Sequence, residues 1–168
     1  EVEGMTTYDD LVRETLPFQL MPAVVPQLKS ITIGGALAGV GIESSSFAYG
    51  FVHETILEID ILLPDGTVVA ATKDNGHKDL FFGFANSYGT LGYALKVKVQ
   101  LVPVKKFVKL RHERYSDLDS YFRALELVCQ TRRVDFVDGT MFDEHDLYLT
   151  TGECVDQAEW LSDYTYRH

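Results

Sequence analysis

The chain has 168 residues, of which 46% are hydrophobic, enough to bury the core of one domain or of one domain and part of a second. Its formal net charge of −10 argues against nucleic acid or an anionic membrane surface as partner. There is no apolar run long enough to span a bilayer, and the first ten residues, EVEGMTTYDD, lack the basic and apolar regions of a secretion signal. We therefore expect a cytoplasmic protein without a membrane span.

The amino-terminal part predicts a short helix followed by an extended segment. In residues 6–10 a pair of threonines precedes a pair of aspartates, which is typical of a helix start, and Pro17 lies near the predicted end. Pro22 and Pro26 then favour an extended chain that leads into a strand at residues 30–33.

Residues 32–50, TIGGALAGVGIESSSFAYG, contain five glycines and three consecutive serines with almost no charge. Such a composition is unfavourable for a helix, so we expect this glycine segment to leave the preceding strand as a loop. One interpretation is a tight turn between two strands. The other is a site where backbone N–H groups and serine hydroxyls hold a phosphate, a ribityl chain or a flavin ring. Composition alone does not decide, because the segment fits neither the GxGxxG nor the GxxxxGK[ST] motif.

Two segments after the glycine segment predict antiparallel β-structure. Residues 57–63 alternate in polarity and are joined by the sequence Pro-Asp-Gly to residues 67–70, which predicts a β-hairpin. Residues 93–101 alternate apolar side chains with Lys96, Lys98 and Gln100, which predicts a long strand with one face in water.

A short helical turn is predicted at residues 78–84, between these two β-segments. A second glycine cluster, Gly89 and Gly92, separates this turn from the long strand.

A domain boundary is predicted near Pro103, which ends the long strand, because from Lys105 the sequence changes to a basic strand, KKFVKLRHERY, followed by a helix. Ser116, with Asp119 three residues later, predicts the start of a helix, and strands are predicted at 134–142 and 146–151. This order is typical of an α+β unit. The predicted buried face of the helix consists of Leu118, Tyr121, Phe122, Leu125, Val128 and Cys129.

Neither a metal site nor a hydrolytic site is predicted. The five histidines are scattered, and the two cysteines are far apart without metal-ligand or disulfide spacing. Three serines at 44–46 lack the GxSxG frame of a nucleophile, so they are better candidates for hydrogen bonding. The role of Glu43 stays open, because a carboxylate repels phosphate unless it faces a ribose, a flavin nitrogen or solvent.

Four sequence runs, taken in order, cover nearly the whole chain and carry a family resemblance. They are TIGGALAGVGIESSSFAYG, HETILEIDILLPDGTVV, KDLFFGFANSYGTLGYALKVKVQLVPVKKFVKLRHERY and FVDGTMFDEHDLYLTTG. In this combination the chain resembles the FAD-linked oxidases of the vanillyl-alcohol oxidase superfamily, and most of all their Δ24-sterol reductase (diminuto) branch.

The resemblance implies the domain organisation and the cofactor. In that family FAD lies between two subdomains of a PCMH-type FAD-binding domain, and a cap domain closes over the flavin ring. Residues 1–104 would be the second subdomain, with an antiparallel or mixed sheet and short helices. Residues 105–168 would begin the α+β cap domain.

The resemblance also implies a cofactor-binding set in three groups. Backbone near the pyrophosphate and ribityl chain would come from Thr32, Ile33, Gly34 and Gly35, the surroundings of the flavin ring from Gly39, Gly41, Ile42, Glu43, Ser44 and Ser45, and backbone at the adenine end from Tyr93 and Ala94.

The implied activity is hydride transfer through flavin N5, either from an alcohol or a saturated C–C bond to FAD, or from NADPH through reduced FAD to an isolated C=C bond, as in a sterol reductase. No catalytic acid or base is identified, and no metal is expected. Alternatives are an oxidase of sugar alcohols or aldonolactones in the same superfamily, and a non-catalytic α+β module that has lost the flavin. Because the family's first FAD subdomain precedes the matched region, we expect this chain to bind FAD weakly or not at all outside its parent protein.

Overall fold

The computed structural model of the chain describes residues 1–163 and has the predicted α+β architecture. Two compact units divide the chain, one of residues 1–103 and one that begins at Val104. The helices are α1 (Tyr8–Thr15), α2 (Ile33–Ala38), α3 (Ser46–Tyr49), α4 (Lys78–Phe84) and α5 (Leu118–Thr131), with short 3-10 turns at Leu16–Phe18 and Val52–Thr55.

All strand pairs within the two units are antiparallel. The first unit holds a four-stranded sheet in the order β1-β5-β3-β4 and a two-stranded sheet of β2 and β6, and the second unit holds a three-stranded sheet in the order β7-β9-β8. The strands are β1 (Val2–Glu3), β2 (Leu20–Pro22), β3 (Ile56–Leu62), β4 (Val68–Ala71), β5 (Tyr93–Val99), β6 (Leu101–Pro103), β7 (Phe107–Tyr115), β8 (Phe136–Asp143) and β9 (Asp146–Val155).

The predicted first helix, the hairpin and the helical turn are confirmed as α1, β3–β4 and α4. Thr7 caps α1, where its hydroxyl oxygen accepts a hydrogen bond from the Asp10 N–H at 3.2 Å. Gly66 has a φ of +85° in the hairpin turn, a conformation that favours glycine.

The predicted strand and loop at residues 30–50 are wrong, because the glycine segment contains α2 and α3. Thr32 caps α2, and its hydroxyl oxygen accepts from the Gly35 N–H at 3.2 Å. Ile33, Ala36 and Leu37 recur at helical spacing and are all buried in the core of the first unit. Burial of this face outweighs the cost of about 1 kcal/mol for each helical glycine. The prediction of a loop from the low helix propensity of glycine is therefore wrong.

The predicted alternation of the long strand fails at its beginning. Leu95 is an extra residue between the pairs Lys96–Asp60 and Ala94–Ile61, so it forms a β-bulge. A bulge shifts the two-residue period by one position, so Ala94 packs towards the core while Tyr93 is exposed.

The second unit buries its helix on one face of its sheet, with a different cap and a narrower buried face than predicted. Asp117, not Ser116, caps α5, and its carboxylate accepts from the Ser120 N–H at 2.8 Å. Tyr121 is buried against Leu147 and Leu149, whereas Leu118 and Phe122 of the predicted face are exposed and Cys129 is half-buried. A fourteen-residue helix on three strands contacts them along a narrow stripe, which leaves the flanks of the predicted face in water.

The predicted basic strand is confirmed as β7, and the two later strands of this unit are confirmed as β8 and β9, although β9 continues to Val155. Residues 164–168 of the predicted second domain lie outside the described part of the chain.

We expect the Asp117 cap to make α5 sensitive to acid. The Ser120 N–H lowers the pKa of Asp117 in the folded state. The cap therefore contributes its full stability above the unfolded-state pKa and loses it as the pH falls through the lower folded-state pKa.

The variant Asp117→Asn keeps the capping oxygen and does not titrate, so its melting temperature should be similar to the wild type at neutral pH and fall less on acidification to about pH 3. Asp117→Ala, the control, should be less stable at every pH. Equal acid sensitivity of the wild type and the Asn variant would contradict the assignment of this cap.

Candidate cofactor site

Gly4 connects two groups of predicted cofactor residues, the group at residues 32–35 and the pair at residues 93–94. The N–H of Gly34 donates to the carbonyl oxygen of Gly4 at 2.8 Å, and the N–H of Gly4 donates to the carbonyl oxygen of Leu95 at 2.8 Å. A Cβ on Gly34 would lie 2.7 Å from the Gly4 carbonyl oxygen, and a Cβ on Gly4 would overlap the carbonyl oxygen of Ala94. The start of α2 therefore packs backbone to backbone against β5 through Gly4.

The backbone N–H groups at the start of α2 are already engaged within the chain. The Ile33 N–H donates to the carbonyl oxygen of Thr6 at 2.9 Å, and those of Gly34 and Gly35 donate to Gly4 and to the Thr32 hydroxyl. Ile33 is fully buried and Gly35 is exposed. This part of the predicted site offers close backbone approach at Gly35 and no free N–H donor at residues 33–35.

The end of α2 is fastened to the loop that precedes β5. The N–H of Asn86 donates to the carbonyl oxygen of Gly39 at 3.1 Å, and the N–H of Tyr88 donates to that of Ala38 at 3.0 Å. No sequence pattern predicts this contact, because both hydrogen bonds join backbone atoms of segments far apart in the chain. Asn86 and Tyr88 thus lie beside the second group of predicted residues.

Unengaged donors lie in the next loop, between α2 and α3. Within residues 1–163, the N–H groups of Ile42, Ser44 and Ser45 donate to no protein acceptor. Gly41 holds the base of this loop, since its carbonyl oxygen accepts from the Val52 N–H at 3.0 Å and a Cβ would lie 2.5 Å from the Val52 side chain.

The structure accounts for Glu43, whose role the sequence left open. A carboxylate oxygen of Glu43 accepts from the Gln27 N–H at 2.6 Å, which anchors the side chain to the segment before α2. The buried Ser45 hydroxyl makes a parallel link, because it donates to the Ala23 carbonyl oxygen at 2.8 Å. Glu43 and Ser45 therefore hold the loop by their side chains and leave the N–H groups of Ile42 and Ser44 unengaged.

Tyr93 and Ala94 occupy different environments at the start of β5. Ala94 is half-buried and paired with Ile61, whereas 70% of Tyr93 is exposed. Tyr93 lines a shallow groove of about 330 Å³. The groove is completed by Leu62, Leu63, Pro64, Gly66, Gly89 and Gly92.

The residues present fit an FAD-type ligand by the chemistry of their donors. An anionic diphosphate or a flavin carbonyl needs N–H or O–H donors on backbone that a ligand can approach closely. Ile42, which is exposed, and Ser44, which is half-buried, supply such N–H groups, and Gly35 presents an exposed Cα surface, whereas Ser45 is buried. The glycine segment thus divides into a packed part, around Gly34 and Gly41, and a part that is free to bind.

Neither a metal centre nor a spanning helix is found in the part of the chain that the structure describes. Residues 1–163 contain no group of three or more His, Cys, Asp or Glu side chains that could hold a metal ion. Over the same residues, none of the helices has the length and apolarity that crossing a membrane requires.

Comparison with known proteins gives matches to one cofactor-binding family and its enzymes. The FAD binding domain family matches residues 1–72. Delta(24)-sterol reductase of Pisum sativum is 41% identical over 112 residues, 67% of this chain and 20% of that protein. The enzyme of Homo sapiens is 34% identical over 81% of this chain and 26% of that protein. The enzyme of Arabidopsis thaliana is 37% identical over 99% of this chain and 33% of that protein.

The chain thus spans a third or less of the length of each of these relatives.

Proposed function

Because this chain belongs to the FAD-linked oxidase superfamily, in its Δ24-sterol reductase branch, we propose that it is part of an FAD-dependent enzyme that reduces a carbon–carbon double bond of a sterol. The observation that carries the proposal is the loop between α2 and α3, with its unengaged N–H groups at the exposed Ile42 and the half-buried Ser44. FAD is the cofactor of the matched family.

The two units have different proposed roles. Residues 1–104 would form the second subdomain of the FAD-binding domain, which agrees with the family match at residues 1–72. Residues 105–168 would begin the cap over the substrate. A cytoplasmic location and the absence of a nucleic-acid partner stay predictions, supported by the net charge of −10 for the latter.

Within the proposed site, the residues of this chain bind and orient. Ile42 and Ser44 would donate hydrogen bonds to the cofactor, the buried Ser45 would support the loop behind them, and Gly35 would let backbone approach the cofactor. Glu43 and Ser45 fix the loop through Gln27 and Ala23, so that these donors are held in place before binding. When bound, FAD supplies hydride transfer from a donor, which we propose to be NADPH, to the sterol double bond.

A flavin titration tests the proposal. The complete protein is expected to bind FAD stoichiometrically, with visible flavin absorbance that bleaches under anaerobic NADPH and returns when a sterol with a Δ24 double bond is added. This chain by itself should bind FAD at least about tenfold more weakly, equivalent to about 1.4 kcal/mol, because it supplies only part of the site.

Two other results would favour the alternatives. An oxidase is indicated if an aldonolactone or a sugar alcohol reduces the flavin, oxygen then restores the flavin absorbance, and the sterol does not react. A complete protein that stays colourless and does not quench flavin fluorescence would refute flavin binding.

A further inference from the structure

The loop before β5 has an unusual concentration of left-handed backbone. Asn86, Tyr88, Gly89 and Gly92 have φ values of 59°, 49°, 79° and 139°. Glycine adopts such angles readily and asparagine tolerates them, whereas they are rare for a bulky aromatic residue. Tyr88 is therefore the strained position of the loop.

Tyr88 and Gly89 are the central residues of a tight turn closed by the Thr90 N–H, which donates to the Ser87 carbonyl oxygen at 3.0 Å. Positive φ at both central residues is the pattern of a type I′ turn, which favours Asn, Asp or Gly at the position of Tyr88. A tyrosine at this position thus opposes the local backbone preference.

Packing within the chain does not explain the tyrosine. The residue is 76% exposed, so little of its surface is buried against the described residues. Its N–H bond to the Ala38 carbonyl oxygen holds the backbone but would form equally well with glycine. What distinguishes tyrosine from glycine at residue 88 is an aromatic ring held in solvent.

The backbone that carries this ring lies beside the end of α2, where the loop with the unengaged donors begins. The Asn86 N–H bonds to the carbonyl oxygen of Gly39, and the N–H of Tyr88 bonds to that of the preceding residue, Ala38. Strained residues persist where the surrounding structure holds them in place, and they cluster at ligand-binding and active sites. Aromatic side chains there bind flat heteroaromatic rings by stacking.

We propose that the Tyr88 side chain packs against the flat flavin ring system of the bound cofactor, as a contact residue that takes no part in proton or hydride transfer. This inference rests on the proposed FAD binding and adds a residue that lies outside the predicted cofactor set. It explains why the turn carries a tyrosine where glycine would be less strained.

The test uses the complete protein and the variants Tyr88→Gly and Tyr88→Phe. Tyr88→Gly should weaken FAD binding about tenfold while the melting temperature of the apoprotein stays equal or rises, because the strain is released as the ring is lost. Tyr88→Phe keeps the ring and should bind FAD within about twofold of the wild type. Asn86→Gly is the matched control, since it relaxes a neighbouring left-handed residue without removing an aromatic ring.

Competing ligands identify which ring the tyrosine contacts. FMN, which has the flavin ring and no adenine, should lose affinity in Tyr88→Gly as FAD does, whereas ADP should be unaffected. The inference is overturned by wild-type FAD affinity in Tyr88→Gly, or by a loss confined to FAD and ADP, which would assign the residue to adenine. Failure of the wild type to bind FAD would instead refute the proposed function, so the two failures are distinguishable.

Discussion

Replacing Gly4 with alanine is expected to lower the free energy of unfolding of the first unit by about 3 kcal/mol. An alanine Cβ would overlap the Ala94 carbonyl oxygen, and backbone cannot rotate aside as the end of a long side chain can. Relief requires β1 to move away from β5, which also strains the Gly34–Gly4 hydrogen bond of 2.8 Å. Urea unfolding measures the loss as a lower midpoint.

Gly76→Ala is the matched control for this prediction. A Cβ at Gly76 has no heavy atom within 4 Å, and its backbone does not need a positive φ. The substitution should therefore change stability by no more than about 0.5 kcal/mol. Equal midpoints for Gly4→Ala and Gly76→Ala would contradict the close packing at Gly4.

If the complete protein tolerates Gly4→Ala, its FAD affinity should also fall, because Gly4 fixes the start of α2 against β5. The predicted cofactor residues Gly34 and Ala94 lie on opposite sides of it. If Gly4→Ala shows the expected loss of stability but keeps wild-type FAD affinity, the packing at Gly4 supports the fold and not the site.

Gly41→Ala is expected to destabilise the first unit by about 2 kcal/mol through overpacking of the core. The new Cβ would lie 2.5 Å from a methyl group of Val52, which is completely buried, and 3.6 Å from the Ala36 side chain. Val52 is held at both ends, by its N–H bond to the Gly41 carbonyl oxygen and by its carbonyl oxygen, which accepts from the Thr55 hydroxyl. It therefore has little room to yield.

A double-mutant cycle separates steric overlap from other effects of this substitution. Val52→Ala removes the methyl groups that clash and by itself should cost about 2 kcal/mol, because it leaves a cavity. Gly41→Ala combined with Val52→Ala should be more stable than the sum of the two losses predicts, with an interaction of about 1 kcal/mol or more. Additive losses would mean that the Gly41 Cβ does not meet Val52.

The close packing at Gly34 and Gly41 changes the interpretation of the glycine segment. The family resemblance implied that its glycines serve the approach of a ligand, and the structure shows that Gly34 and Gly41 are also required for contacts within the chain. Gly35 is exposed, and the close approach of a ligand to its backbone stays a proposal.

The sequence by itself determined the α+β class, the family, α1, α4 and the hairpin of β3 and β4. Each depends on local information: a capping threonine, a run of alternating polarity, a Pro-Asp-Gly turn, or an order of motifs. Family resemblance added FAD, which the composition of residues 32–50 left undecided between a turn and a site.

Only the tertiary structure decided that glycine-rich residues 33–38 form a helix, because the burial of Ile33, Ala36 and Leu37 depends on elements distant in sequence. It also decided which donors are free, since the partners of Ile33 and Gly34 are Thr6 and Gly4, nearly thirty residues earlier. The bulge at Leu95 depends on pairing with β3. A residue's type sets what it can bond to, whereas the approach of other segments sets which of its groups remain available.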